Sequence, residues 1–391
     1  MISFSEALDI VLKSAGSIGI EDVGLANPAG RILAEDIVSD IDMPPFDKSA
    51  MDGYACRRED LGQDLEVIEV IRAGSAPEKS IGPGQCSQIM TGAMIPVGAD
   101  TVIEVEFTEN TGNKMIRFTG ASPKSNICPL GEDIRKGDLV MKQGTLIGVR
   151  HIPILATVGA TEIKVYKQPG VGVLATGTEL VEPHEVPGPS QIRNSNALQT
   201  MAQLRSMGLN PYYYGIAPDD ESRTYEMINT ALRDCDIIML SGGVSMGEFD
   251  FVPSVLKILG FDLLFQRVAI QPGKPTTFGV KDGKYVFGFP GNPVSSFIIF
   301  ELLARPFIYK MMNHNLKPVV IRLQAGREIK RNKTSRQSWF PVQINEEGNV
   351  IPLEYHGSAH IFSLNRAIGI ASMDIGQDTI NEGDWVDVRQ I

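Results

Sequence analysis

Three stretches of this chain combine the residue types that handle phosphates and oxyanions. In Ser241-Gly242-Gly243-Val244-Ser245-Met246-Gly247 two adjacent glycines let the backbone approach a ligand closely. Their N–H groups, with the Ser241 and Ser245 hydroxyls, suit phosphate oxygens. The competing explanation is a glycine turn chosen only for its φ angles. Gln271-Pro272-Gly273-Lys274-Pro275 is the second stretch, and Phe289-Pro290-Gly291-Asn292-Pro293-Val294-Ser295 the third. In the third, two prolines bracket Gly-Asn and stiffen the backbone before a helix from Val294, whose N-terminus is a further anion site with Ser295 near it. Lys274, with Arg267 upstream of it, supplies local positive charge; an isolated lysine is otherwise a solvated surface residue.

The carboxylates come next. Asp219 ends an apolar run and Asp250 follows the Ser-Gly-Gly turn, so both can converge on one crevice to hold Mg2+ or a ribose hydroxyl. Each also precedes a helix, and an N-cap is the plainer alternative. The run 171–176 empties into Gly177-Thr178-Glu179. Stretches 48–55, 90–93 and 131–134, which contain Asp52, Thr91 and Asp133, read on spacing alone as polar turns. The five histidines are isolated, and no Ser–His–Asp order can be drawn through them.

These loops need a frame. Over 169–312, apolar runs alternate with helical segments: 171–175, 211–216, 237–240 and 285–289 read as strands, 195–207, 222–232 and 251–259 as helices, and a long helix starts at Val294. Leu263 to Ile270 reads as one more strand, and Asp282-Gly283 as a hairpin turn. That alternation predicts a doubly wound, largely parallel sheet with ligands at its carboxyl ends. Ser3 to Glu6 fits a capping box for a helix running to Gly16, and Asn27-Pro28 offers a cap and first-turn proline to a second helix. Residues 40–142 break into short strands cut by Gly, Pro and Asn, which reads as a β-rich unit. A helix and a strand follow over 147–166 and are expected to join the N-terminal helices. After 317 short strands return and predict a β-barrel-like unit.

A chain of 391 residues exceeds one ordinary core, so two to four domains are expected. A net charge of −11 lacks the broad basic footprint of a nucleic-acid or membrane-surface binder, so neither partner is expected. The four cysteines show no zinc or disulfide spacing, and residues 1–20 carry Glu6 and Asp9 where a signal peptide would be basic and then apolar. A cytoplasmic protein with reduced thiols is the expectation.

Taken in order, seven segments resemble the molybdopterin molybdenumtransferase (molybdenum insertase) family, related to the insertase domain of gephyrin. They are 44–55, 89–93, 131–134, 175–180, 241–247, 271–275 and 290–295. The resemblance implies an α/β fold in an elongated multidomain subunit: a discontinuous domain (1–40 and 140–168), an inserted β-rich domain (41–139), a doubly wound pterin-binding domain (169–315) and a C-terminal β-barrel-like domain (316–391). It implies insertion of molybdate into adenylylated molybdopterin with Mg2+-dependent release of AMP. The enzyme would be a homodimer whose active site is shared between subunits, with molybdopterin adenylyltransferase and recipient molybdoenzymes as further partners.

Carried over by residue, Glu179, Asp219 and Asp250 match acidic active-site positions, the last two as Mg2+ ligands. Ser241, Gly242, Gly243, Pro290, Asn292, Pro293 and Ser295 match the pterin-nucleotide loops. Arg267, Lys274 and Arg336 match basic positions facing phosphate and molybdate. Asp52, Thr91 and Asp133 would act on the other subunit's site. Gln271 departs from a commoner lysine and removes one cation; Ser338 and Pro341 depart from a commoner Glu and Arg. The alternatives are a molybdopterin adenylyltransferase-like enzyme, which would lack the flanking domains, and a non-catalytic scaffold with a pterin-binding domain.

Overall fold

A computed structural model describes residues 1–122, 124–244, 251–353 and 359–391. The centre of the fold is a six-stranded sheet over 171–289. Val171–Thr176 lies between Tyr212–Ala217 and Ile237–Ser241, Lys284–Phe289 follows, and all four run parallel. Thr277–Lys281 and Asp262–Phe265 complete the far edge antiparallel, the former joined to Lys284–Phe289 through the expected Asp282-Gly283 hairpin. Val171–Thr176 and Ile237–Ser241 are buried at every position. That explains their continuous apolar sequence, because a sheet covered on both faces has no polar side to show.

Helices cover both faces. Asn196–Arg205 and Pro293–Ile299 share one core with the sheet, and Phe278, Phe287 and Phe307 pack tightly within it. Glu221–Asp234 and Val252–Ile258 bury Ile228, Ala231, Val255 and Leu256 against the other face. The strand order reverses at Val171–Thr176, whose connection goes to one neighbour while the next strand lies on its other side. The crevice between Val171–Thr176 and Ile237–Ser241 is therefore the topological switch point where such sheets place ligands.

The flanking parts follow the expected textures with instructive differences. The capping box at Ser3 and Glu6 starts the helix Phe4–Ser14. This helix buries Ala7 and Val11 in the core of the α/β unit, a cluster that Tyr166 of the 147–166 segment also enters. There is no second helix at Asn27-Pro28: residues 25–30 are turns closed by Asn27 N–H to Gly24 O and Arg31 N–H to Pro28 O. The strand before them, Ile20–Gly24, pairs with Glu162–Tyr166 and consumes the segment that would have led into a helix. A six-stranded sheet occupies 53–118, and a second, curled one holds the C-terminal strands. The single strand expected from Leu263 to Ile270 is two. Ile270–Gln271 leaves the α/β sheet and pairs in parallel with Gln337–Ile344 of the C-terminal sheet. The long helix from Pro293 is interrupted by a π-helical turn at Phe300–Ala304.

No helix among the described residues is long and apolar enough to cross a membrane.

Candidate active site

The parallel strands end at one level, Ala175 beside Ser241 and Ser241 beside Phe289, so the loops that follow them open side by side. Together they line a cleft of about 780 Å³. Its walls include Gly177, Glu179, Asp219, Ser241, Gly242, Gly243, Pro290, Asn292 and Pro293. Asp250 and Ser245 lie outside the described residues.

The glycines here answer to space as well as to conformation. Gly242 and Gly243 have φ of +91° and +61°, and a Cβ on Gly242 would stand 2.4 Å from the Thr176 carbonyl oxygen. Only a residue without a side chain lets the second strand end lie so close to the first. Gly242 N–H is already donated to Phe289 O at 3.1 Å. Among the described residues it is therefore Gly243 N–H, of the two glycine donors, that is left for a ligand.

Asp219 is not the helix cap; Asp220 is, accepting from Arg223 N–H at 2.8 Å. Asp219 instead braces the neighbouring loop. Its Oδ2 accepts Thr178 N–H at 3.0 Å, while its own N–H donates to Thr178 Oγ1 at 3.1 Å. Glu179 stands in the same wall. Hard carboxylate oxygens beside backbone donors are the chemistry that Mg2+ with a phosphate requires, since Mg2+ takes one or two protein carboxylates and fills its shell with phosphate and water. Among the described residues no cluster of three metal-ligating side chains occurs, and a metal here would depend on its substrate for the remaining ligands.

Sequence reasoning passes over part of the wall. Arg193, Asn194, Ser195 and Asn196 line it. Asn194 is buried, donates to Tyr213 Oη at 2.9 Å and accepts Ala197 N–H at 3.3 Å, and so starts the helix behind it. Tyr213 donates its O–H to Glu182 Oε1 at 2.7 Å, and burial followed by this carboxylate pushes its phenol well above its ordinary value. The only signal in the sequence was a polar cluster at a helix start. Ala359, Ile361 and Phe362 also close on the cleft from the C-terminal unit of the same chain, and Phe362 is 91% exposed.

Other residues stand apart from this cleft. Pro275 touches it, but Lys274, one residue back, is exposed beside it. Arg336 donates to Ile270 O at 3.2 Å and, more distantly, to Gln271 Oε1 at 3.5 Å, so the 271–275 loop runs from Arg336 to the cleft rim. Arg267 is exposed at the base of that loop, where its carbonyl accepts Ile2 N–H at 3.2 Å. Ser295 is 2% exposed within its helix and does not line the cleft. Asp52, Thr91 and Asp133 are exposed on the 41–139 unit, outside the cleft of their own chain. Asp52 Oδ1 accepts Thr91 N–H at 2.6 Å and Thr91 Oγ1–H at 2.9 Å, and these bonds, the backbone one first, hold its carboxyl below the ordinary range.

Relatives match this chain over nearly its whole length. The molybdopterin molybdenumtransferase of Staphylococcus epidermidis is 35% identical to this chain, covering 99% of it and 95% of the relative. The chain belongs to the molybdopterin molybdenumtransferase family. Its Staphylococcus aureus relative is 34% identical over the same share. Residues 2–159 match the family described as "MoeA N-terminal region (domain I and II)", and residues 172–310 match "Probable molybdopterin binding domain". Among solved structures, two molybdopterin biosynthesis MoeA proteins of Pyrococcus horikoshii superpose with TM-scores of 0.82 and 0.85 at 33% and 29% identity. Both cover 100% of this chain, and it covers 99% and 100% of them. The α/β fold with β-rich flanking units is thus that of the molybdopterin molybdenumtransferases, and all of the cleft's lining except Ala359, Ile361 and Phe362 lies in the part matched as molybdopterin binding.

Proposed function

We propose that this chain inserts molybdate into adenylylated molybdopterin, with Mg2+-dependent release of AMP, to give molybdenum cofactor in the cytoplasm. The observation that carries this reading is the switch-point cleft, where Ser241, Gly242 and Gly243 face the 290–293 loop and the carboxylates of Glu179 and Asp219. Backbone donors and a helix N-terminus suit the phosphates. Asp219 and Asp250 would hold Mg2+, which when bound supplies charge neutralisation at the phosphoanhydride. Ser241, Gly243 and the 290–293 loop bind and orient the nucleotide, with Ser295 buried in the helix behind that loop; Lys274, Arg267 and Arg336 draw molybdate to the rim. Preorganised donors of this kind stabilise charge as it develops and need no covalent nucleophile from the protein.

Asp52, Thr91 and Asp133 lie outside their own chain's cleft, which is what a contribution to a second subunit's site requires. We therefore take the enzyme to be a homodimer built from the four units 1–40 with 140–168, 41–139, 169–315 and 316–391. Molybdopterin adenylyltransferase would supply its substrate, and recipient molybdoenzymes would take its product. The test is genetic: the chain is expressed in an insertase-deficient strain and cofactor-dependent nitrate reductase activity is measured. Restored activity is expected. A well-expressed chain that restores none would favour a scaffold.

A further inference from the structure

The loops 193–196 and 290–293 form one side of the cleft and are tied together by a stripe of amide side chains. Asn196, Gln199 and Gln203 stand at i, i+3 and i+7 of the helix Asn196–Arg205, hence on one face. All three donate to backbone carbonyls of the neighbouring segment. Asn196 Nδ2 reaches Gly291 O at 2.7 Å, Gln199 Nε2 reaches Pro293 O at 3.4 Å, and Gln203 Nε2 reaches Phe297 O at 3.3 Å. Gln203 Nε2 also donates to Glu301 Oε1 at 2.8 Å, and Arg305 binds the same carboxylate.

Two helices ordinarily pack through apolar side chains, which tolerate a small slide. Directional bonds to carbonyls do not, because a shift leaves buried polar atoms unmet. The shortest contact lies at the cleft end, on a glycine carbonyl that precedes the helix Pro293–Ile299. A trans peptide is planar, so holding Gly291 C=O against Asn196 turns Asn292 N–H the opposite way, off the Asn196 helix.

We propose that Asn196, backed by Gln199 and Gln203, is a positioning residue that sets the 290–293 loop for the nucleotide end of the substrate. This rests on the nucleotide reading of the cleft. Gln199 is the informative position, because it does not line the cleft and can act only through the loop.

The experiment compares the wild type with Asn196→Leu and Gln199→Leu, each checked for folding by thermal melting. Binding of AMP is measured by calorimetry, and KM is measured separately for adenylylated molybdopterin and for molybdate. Loss of the short bond should weaken AMP about tenfold and loss of the longer one about threefold. The KM for adenylylated molybdopterin should rise in step, and that for molybdate should move less than about twofold. Folded variants that bind AMP like the wild type would overturn the proposal. So would a loss in Asn196→Leu with none in Gln199→Leu, which would make Asn196 a direct contact. Equal rises in both KM values would mean general damage and also overturn it. A wild-type protein that binds neither AMP nor adenylylated molybdopterin would instead overturn the nucleotide reading beneath it.

Discussion

Thr178 and Asp219 clasp each other across two strand ends, each donating its backbone N–H to the other's side chain, at 3.0 and 3.1 Å. The clasp holds the Asp219 carboxylate in the cleft while only one of its oxygens is engaged by Thr178. Asp219→Asn keeps an acceptor for Thr178 and removes the charge. It should cost roughly tenfold to a hundredfold in Mg2+-dependent turnover with little change in melting temperature. Thr178→Val, which removes only the hydroxyl acceptor, should cost less. Full activity in a folded Asp219→Asn protein would take this carboxylate out of the reaction.

Gly242 and Gly348 separate conformational strain from crowding. Both have φ above +80°, but nothing lies within 4 Å of a Cβ built on Gly348, whereas one on Gly242 meets Thr176 O at 2.4 Å. Gly348→Ala should cost roughly 1–2 kcal/mol, the ordinary penalty of a left-handed residue. Gly242→Ala should cost roughly 2–5 kcal/mol, adding the price of overpacking. Urea unfolding of the two variants measures the difference; equal midpoints would mean that the two strand ends have room to part.

Lys274 is exposed at the rim, and Gln271, a neutral side chain in the same loop, is engaged by Arg336. Lys274→Ala should lose a charge-assisted contact of roughly 1.5–3 kcal/mol, or about tenfold to a hundredfold in apparent molybdate affinity. Gln271→Lys should tighten molybdate binding. A molybdate titration of AMP release reads both. A Lys274→Ala curve that overlays the wild type would place the oxyanion elsewhere.

Asp52 and Thr91 hold each other outside their own chain's cleft, so the shared-site reading predicts complementation between defective subunits. Mixing Asp52→Ala with Asp250→Ala should restore part of the activity, since one interface of the mixed dimer keeps both carboxylates. Exchanged subunits that stay as inactive as either parent would contradict it.

Much of the α/β unit was legible because burial writes itself into sequence. Val171–Thr176 and Ile237–Ser241 are apolar at nearly every position, and the glycine and proline loops that follow mark where each strand stops. What stayed hidden depends on tertiary partners. Asn27-Pro28 carries a sound local helix signal, yet the pairing of Ile20–Gly24 with Glu162–Tyr166 turns the chain elsewhere. Ile270–Gln271 looks like the continuation of one strand until the C-terminal sheet claims it. Asn194 and Asn196 are polar residues whose meaning lies in Tyr213 and Gly291, distant partners that no local spacing reveals. Ala359, Ile361 and Phe362 reach the cleft from another unit altogether.

The most direct test is to incubate purified protein with adenylylated molybdopterin and Mg2+, with and without molybdate, while following AMP and molybdenum cofactor together. The account predicts that AMP release depends on molybdate and on Mg2+, and that one cofactor forms for each AMP released. AMP release at the same rate without molybdate, or cofactor formation without AMP, would contradict it.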